Sequence, residues 1–287
     1  MKRYIHQLPA LSAAAAAIAL GTVTSVATAT EPCGDFGECK VLVEINSSDG
    51  DIGFHFLVDG DDLSSTRLRD PSGTKVFEDM AKGPLQKQKL TETFAESAEP
   101  LCWADPEADP DDLEDIVTLE EFLETWEAGP YFFSGTSDGG ERLAGETELT
   151  LELPAAPQDL MFSGGIISWT AGTHVDEDAD LGNCASHAEL HALVTADVLP
   201  IHPEDVAVDA WEVVFEPDVD DLGQLKFTIR LPVGQTSVTV PVDYLTALPP
   251  NTPAKVEVGA IGAEDNATFT EISDVCANET GGGCDFD

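Results

Sequence analysis

Short runs that alternate apolar and polar residues, broken every few positions by Gly, Pro, Asp or Asn, recur along this chain and limit what it can fold into. Trp211-Glu212-Val213, Phe227-Thr228-Ile229-Arg230-Leu231 and Val256-Glu257-Val258 follow the pattern strictly. A period of two puts successive side chains on opposite faces of a strand, so one face is buried and the other is wet. The class expected is all-β, built from antiparallel sheets packed face to face.

In the second half, QDLMFS, GIISWTA, DAWEVVFEP, LKFTIRLP, TSVTVPV, KVEVGAIG and TFTEIS give seven strands, enough for an immunoglobulin-like sandwich. The first half reads as a second β-sandwich-like unit with short helices. VLVEI and GFHFLV are strands, and STRLRD and TKVFED flank a Pro71-Ser72-Gly73 turn. A hairpin closes around Asp138-Gly139-Gly140. LTETFAES is expected to be a helix capped by Thr91, and Thr118 with Glu121 forms a capping box for another. Leu153-Pro154-Ala155-Ala156-Pro157 marks the boundary, because Pro stiffens the link and stops strands from running through it. The expected organisation is a leader over 1–29, a β-rich domain over 30–153, a second domain over 154–275 and a flexible acidic tail over 276–287.

The leader has Lys2 and Arg3, an apolar Ala/Ile/Leu run and then Ala27-Thr28-Ala29, the order of a secretory signal peptide. It predicts a protein secreted or held in the periplasm, with no membrane span. Export makes disulfides the natural state of the six cysteines, although six allow fifteen pairings. Local closure favours Cys33–Cys39 and Cys276–Cys284, leaving Cys102–Cys184 to bridge the halves. The charge of −42, with 55 Asp+Glu against 13 Lys+Arg, repels phosphates and argues against nucleic acid or anionic lipid as partners. It equally suits solvation in a saline medium, where self-repulsion is screened.

The stretches PAAPQDLMFSGGIISWTAG, DAWEVVFEP and TSVTVPVDYLTALPPNTPAKVEVGAIGAEDN resemble a fibronectin type III domain over about 154–275. The resemblance implies that Trp169 is the strand-B core anchor and that Leu248 to Val258 forms the E–F corner and strand F. It departs from the family where the corner tyrosine falls on Ala254; Tyr244 comes too early to be assigned that role from the sequence. On this reading 171–209 is a long insertion between strands B and C, facing the first domain. Connections longer than ~12–15 residues are uncommon in compact domains and are often functional or disordered.

That insertion concentrates the ligand-type residues. Asp176, Asp178 and Asp180 alternate as in a calcium loop, but the twelfth position is His187, not the Glu of an EF-hand. His187 and His191 share a face if the segment around them is helical, a geometry zinc uses; as a strand it would hold them ~13 Å apart. A third ligand would come from His174, His202 or a carboxylate. Asp49-Gly50-Asp51 and Asp59-Gly60-Asp61-Asp62 read as turns between strands. No Gly-x-Ser-x-Gly elbow or phosphate-cradling Gly loop is present, and paired cysteines leave no thiol nucleophile. The function expected is therefore non-enzymatic: an exported binding or structural protein for a protein or glycan partner of unknown identity. No cofactor is expected; calcium is the one ion the alternating carboxylates suggest. The rivals are a calcium-dependent adhesion or matrix protein and a secreted zinc-dependent hydrolase.

Overall fold

A computed structural model describes residues 33–103, 116–172, 180–219, 221–222, 224–279, 283–284 and 286. The leader, the acidic run 104–115, and Asp176 and Asp178 of the expected calcium loop lie outside these residues.

The protein is all-β, as the alternation predicts. In the second half, β7 (Gln158–Ser163), β8 (Ile166–Thr170) and β11 (Ser237–Thr239) form a three-stranded sheet in the order β11-β8-β7. Facing it run β10 (Phe227–Pro232), β9 (Val208–Pro217), β12 (Pro253–Gly262) and β13 (Ala267–Cys276), in that order. Three strands against four make an immunoglobulin-like sandwich. Its core holds Trp169, Trp211, Val213, Phe215, Val256 and Val258, with Trp169 edge-on to Trp211 at 5.9 Å between ring centroids. Ala254 is fully buried, too small to supply a corner hydroxyl. Tyr244, on α4 (Val242–Ala247), donates instead to the carbonyls of Phe215 and Leu225.

The first half is organised by one long strand. β2 (Asp51–Arg69) pairs through its first part with β1 (Glu38–Asn46) and β4 (Leu90–Glu96), and through its last part with β3 (Lys75–Met80) and β5 (Gly129–Ser137). β6 (Arg142–Leu149) completes this layer against β5. Asp59 to Asp62, expected as a turn between strands, is instead an irregularity inside β2: the pairing register shifts there and Asp62 takes φ 54°. A bulge bends a strand without ending it, which lets β2 pass from one layer to the other. Phe54 and Phe56 then meet Tyr131 and Phe133 across the core, at 5.7 and 6.4 Å between centroids.

The helix expected in LTETFAES is strand β4; Thr93 is buried opposite Val58 and Phe94 points out, a period of two that cross-strand pairing favours over local helix propensity. A single helical turn, α1 (Pro84–Gln88), precedes it with no buried residue. α2 (Leu119–Thr125) has the Thr118–Glu121 capping box and buries Leu119, Phe122 and Leu123.

The two halves share a sheet. β1 lies parallel to β13, pairing Glu44 with Ala267, Ile45 with Thr268 and Asn46 with Phe269. Side chains extend this short seam. Asn266 accepts from the Val43 amide and donates to the Thr150 and Glu152 carbonyls, and Ser48 bonds both backbone groups of Glu271. Beyond the seam the stretch expected as a tail begins packed: Ala277 is buried and Asn278 donates to the carbonyls of Leu245 and Leu248.

Candidate functional site

The connection from β8 to β9 spans 171–207, and its described part joins the core of the first half rather than of the sandwich that carries it. Leu181, Leu190, Leu193 and Leu199 pack with the cluster that includes Phe54, Phe122 and Tyr131. At roughly 1.5–3 kcal/mol for each fully buried side chain, this burial is as large as the net stability of an average domain. Gly182 shows how close the approach is. It takes φ +59°, and a Cβ there would lie 1.9 Å from the Ser47 carbonyl oxygen at the end of β1. The Cys102–Cys184 disulfide fastens the same spot, and Cys33–Cys39 and Cys276–Cys284 close the other two pairs.

Within the insertion, Ser186 and Glu189 form a capping box that starts α3 (His187–Thr195). The side chain of Ser186 accepts from the Glu189 amide, and Glu189 accepts from the Ser186 amide and hydroxyl. Leu190 and Leu193 turn inward as anchors. His187 and His191, one turn apart, therefore sit on one face, 4.5 Å between ring centroids. Asp197, at φ 57°, reverses the chain, and the amides of Val198 and Leu199 both bond the Leu193 carbonyl. That reversal brings His202 under the helix, 4.9 Å from His187 and 4.7 Å from His191 by ring centroid. One nitrogen from each of the three rings lies within 4.8 Å of the others.

Asp180 organises the cluster from below. It is 1% exposed, and its Oδ2 lies 2.7 Å from His187 Nδ1 and 3.9 Å from His202 Nε2. Its main-chain carbonyl accepts from Ala156, while the Pro203 carbonyl accepts from Ala155, so both ends of the site grip the Pro-rich link. His202 is 5% exposed, and neither ring nitrogen has a hydrogen-bond partner among the described residues. Burial lowers its basicity, against the pull of Asp180 and Glu204, and the neighbouring imidazoles lower it further. Asp180 Oδ1 is likewise buried without a partner among those residues.

A second polar cluster lines a cavity of about 470 Å³ on the sheet face at the seam, with Glu44, Asp49, Asp51, Glu99, Glu212 and Glu257 around it. Burial, then repulsion from Glu99, Glu212, Glu257 and Glu96, pushes the Glu44 carboxyl up to about 7. Burial together with Glu99 and Asp49 pushes Asp51 up to about 6. Here His55 already has carboxylate neighbours, Glu99 at 3.3 Å and Glu44 at 3.9 Å. Beside the cavity, burial would lower the Lys255 ammonium, but Glu271, Glu257 and Glu216 outweigh it and raise it.

Of the residues singled out in the sequence, Asp180, His187 and His191 come together and Trp169 anchors the sandwich core. The third imidazole is His202, and the Ser186–Glu189 box that sets the helix register is an S-x-x-E pattern open to recognition in the sequence.

No family model matches the chain, and no curated protein matches it. Solved structures with some likeness include the chicken CNTN1 FN1–FN3 domains, at 10% identity and TM-score 0.27, covering 88% of this chain and 68% of that one. A tetra-tandem repeat from the extending region of a large adhesion protein is 13% identical with TM-score 0.24, covering 82% and 48%. A solved chain from a study of host cell surface retention of a 1.5-MDa bacterial ice-binding adhesin is 12% identical with TM-score 0.23, covering 88% of this chain and 66% of that one. At such scores the fold assignment rests on the sheet topology described above.

Proposed function

We propose that this is an exported, non-enzymatic binding protein: a disulfide-stapled β framework that holds residues 180–207 of the insertion in place as its binding element. The leader-like start of the sequence and three disulfides support export. One observation supports binding over catalysis. Asp180 and His187 form the orienting half of a nucleophilic triad, yet His187 is flanked by the rings of His191 and His202, with no Ser, Thr or Cys side chain bonded to it among the described residues. A triad needs a hydroxyl or thiol there, whereas a ring of imidazoles is a set of ligands.

The test pairs a search for a partner with a search for turnover. Mature wild-type protein and a His191→Ala variant are run on protein and glycan arrays, and assayed on ester, peptide and glycoside substrates. Binding by wild type that is weakened in His191→Ala, with turnover in neither, is expected. Turnover that survives purification and is lost in His191→Ala would overturn the non-enzymatic reading.

A further inference from the structure

We infer that His187, His191 and His202 bind one divalent transition-metal ion, zinc being the best fit, with Asp180 as the positioning residue beneath them. The inference rests on the binding reading above and names the ligand of the same site. Three facts converge on it. First, the three rings each bring one nitrogen to within 4.8 Å of the others, so their ligand atoms converge on one point. Zinc–nitrogen bonds of ~2.0–2.1 Å in a tetrahedron need nitrogens ~3.3 Å apart, so an ion would draw the rings in by about 1 Å.

Second, Asp180 occupies Nδ1 of His187 and leaves Nε2 for a ligand bond. Metal-binding imidazoles characteristically give their other nitrogen to a carboxylate, which fixes the tautomer and the ring plane. Third, the buried polar atoms are unbalanced without a cation. His202 is nineteen-twentieths buried with both nitrogens unpartnered among the described residues, and Asp180 Oδ1 is in the same condition. Buried polar groups are normally satisfied, because each unmet one is costly. A cation on the imidazoles would take one of the two His202 nitrogens as a ligand and offset the Asp180 charge.

The donor set points to the ion's class. Imidazoles suit zinc, copper and nickel, whereas calcium and magnesium take six or more oxygens. Three protein ligands would leave one tetrahedral position open, and of the three His191 is the exposed one. The ion would tie α3 to the stretch that grips the Pro-rich link.

Tag-free mature protein should be loaded with Zn²⁺ in millimolar Mg²⁺, which competes for surface carboxylates but not for imidazoles, and read by metal analysis and titration calorimetry. One tight equivalent is expected. His191→Ala, at an exposed position and so expected to fold, should weaken zinc at least 100-fold with an unchanged circular dichroism spectrum. Asp180→Asn should weaken it about 10–100-fold. Co²⁺ in place of zinc should give the visible absorption of a tetrahedral nitrogen site. Substoichiometric zinc, or equal affinity in wild type and His191→Ala, would overturn the inference. If zinc fails to bind and no turnover is seen, the metal inference falls while the binding reading stands. Metal-dependent turnover would keep the ion and remove the non-enzymatic reading.

Discussion

Replacing Glu44 by Gln should stabilise this protein at alkaline pH and leave it almost unchanged at pH 5. Glu44 sits where β1 meets β13, among carboxylates from both halves, and its carboxyl is pushed up to about 7 from an ordinary 4.5. The sign follows from linkage. A carboxyl harder to ionise when folded leaves stability intact below its unfolded pKa and removes it as pH rises through the folded value. Stability therefore falls between about pH 4.5 and pH 7, and Asp51, raised to about 6, adds to the loss between about pH 4 and pH 6. At ~1.4 kcal/mol per pH unit the full effect of Glu44 is roughly 3 kcal/mol. About a third of its side chain, 34%, is in water, so screening reduces this to roughly 1–2 kcal/mol. The assay is urea unfolding of wild type and Glu44→Gln at pH 5 and pH 8, in low and high salt. A gain of roughly 1–2 kcal/mol at pH 8 that shrinks in high salt is expected. Equal destabilisation at both pH values would mean that Glu44 works as an ionised partner of His55, and the reasoning about the seam would be wrong.

Further expectations concern the insertion. Gly182→Ala should lower stability by well over 1 kcal/mol, since it combines a left-handed backbone with a collision against Ser47; a thermal melt decides. Leu190→Ala should cost about 2–5 kcal/mol, and hydrogen exchange should rise in β2 and β5 of the first half rather than in β9 and β12. Cys102→Ser with Cys184→Ser, which opens a closure of 82 residues, should cost about 2–5 kcal/mol in a denaturant titration.

The strands of the sandwich were legible because each carries its own period of two, whereas the Trp169 core position was legible through the resemblance to a fibronectin type III domain. Residues 59–62 were not. Asp-Gly-Asp-Asp has turn chemistry in any context, and only pairing on both sides of β2 makes it a bulge. LTETFAES misleads for a similar reason: its helix formers yield to an adjacent strand. The seam is illegible in principle, since no local signal marks Glu44 to Asn46 as partners of residues more than 220 positions away. At the candidate site, spacing put His187 and His191 together. His202 needed the reversal at Asp197 and the burial of Leu199, which are tertiary facts.

The placement of the four insertion leucines has a consequence for the order of folding. The chain reaches Leu181, Leu190, Leu193 and Leu199 only after the first half is complete, so until they dock that half has part of its apolar interior uncovered. Two beads on a string would fold one after the other; here the earlier bead is finished by a piece of the later one. A fragment ending at the Pro-rich link would expose the surface those leucines cover and should aggregate. Transplanting either half into another protein would likewise require carrying the insertion with the half it completes, not with the half whose strands it connects.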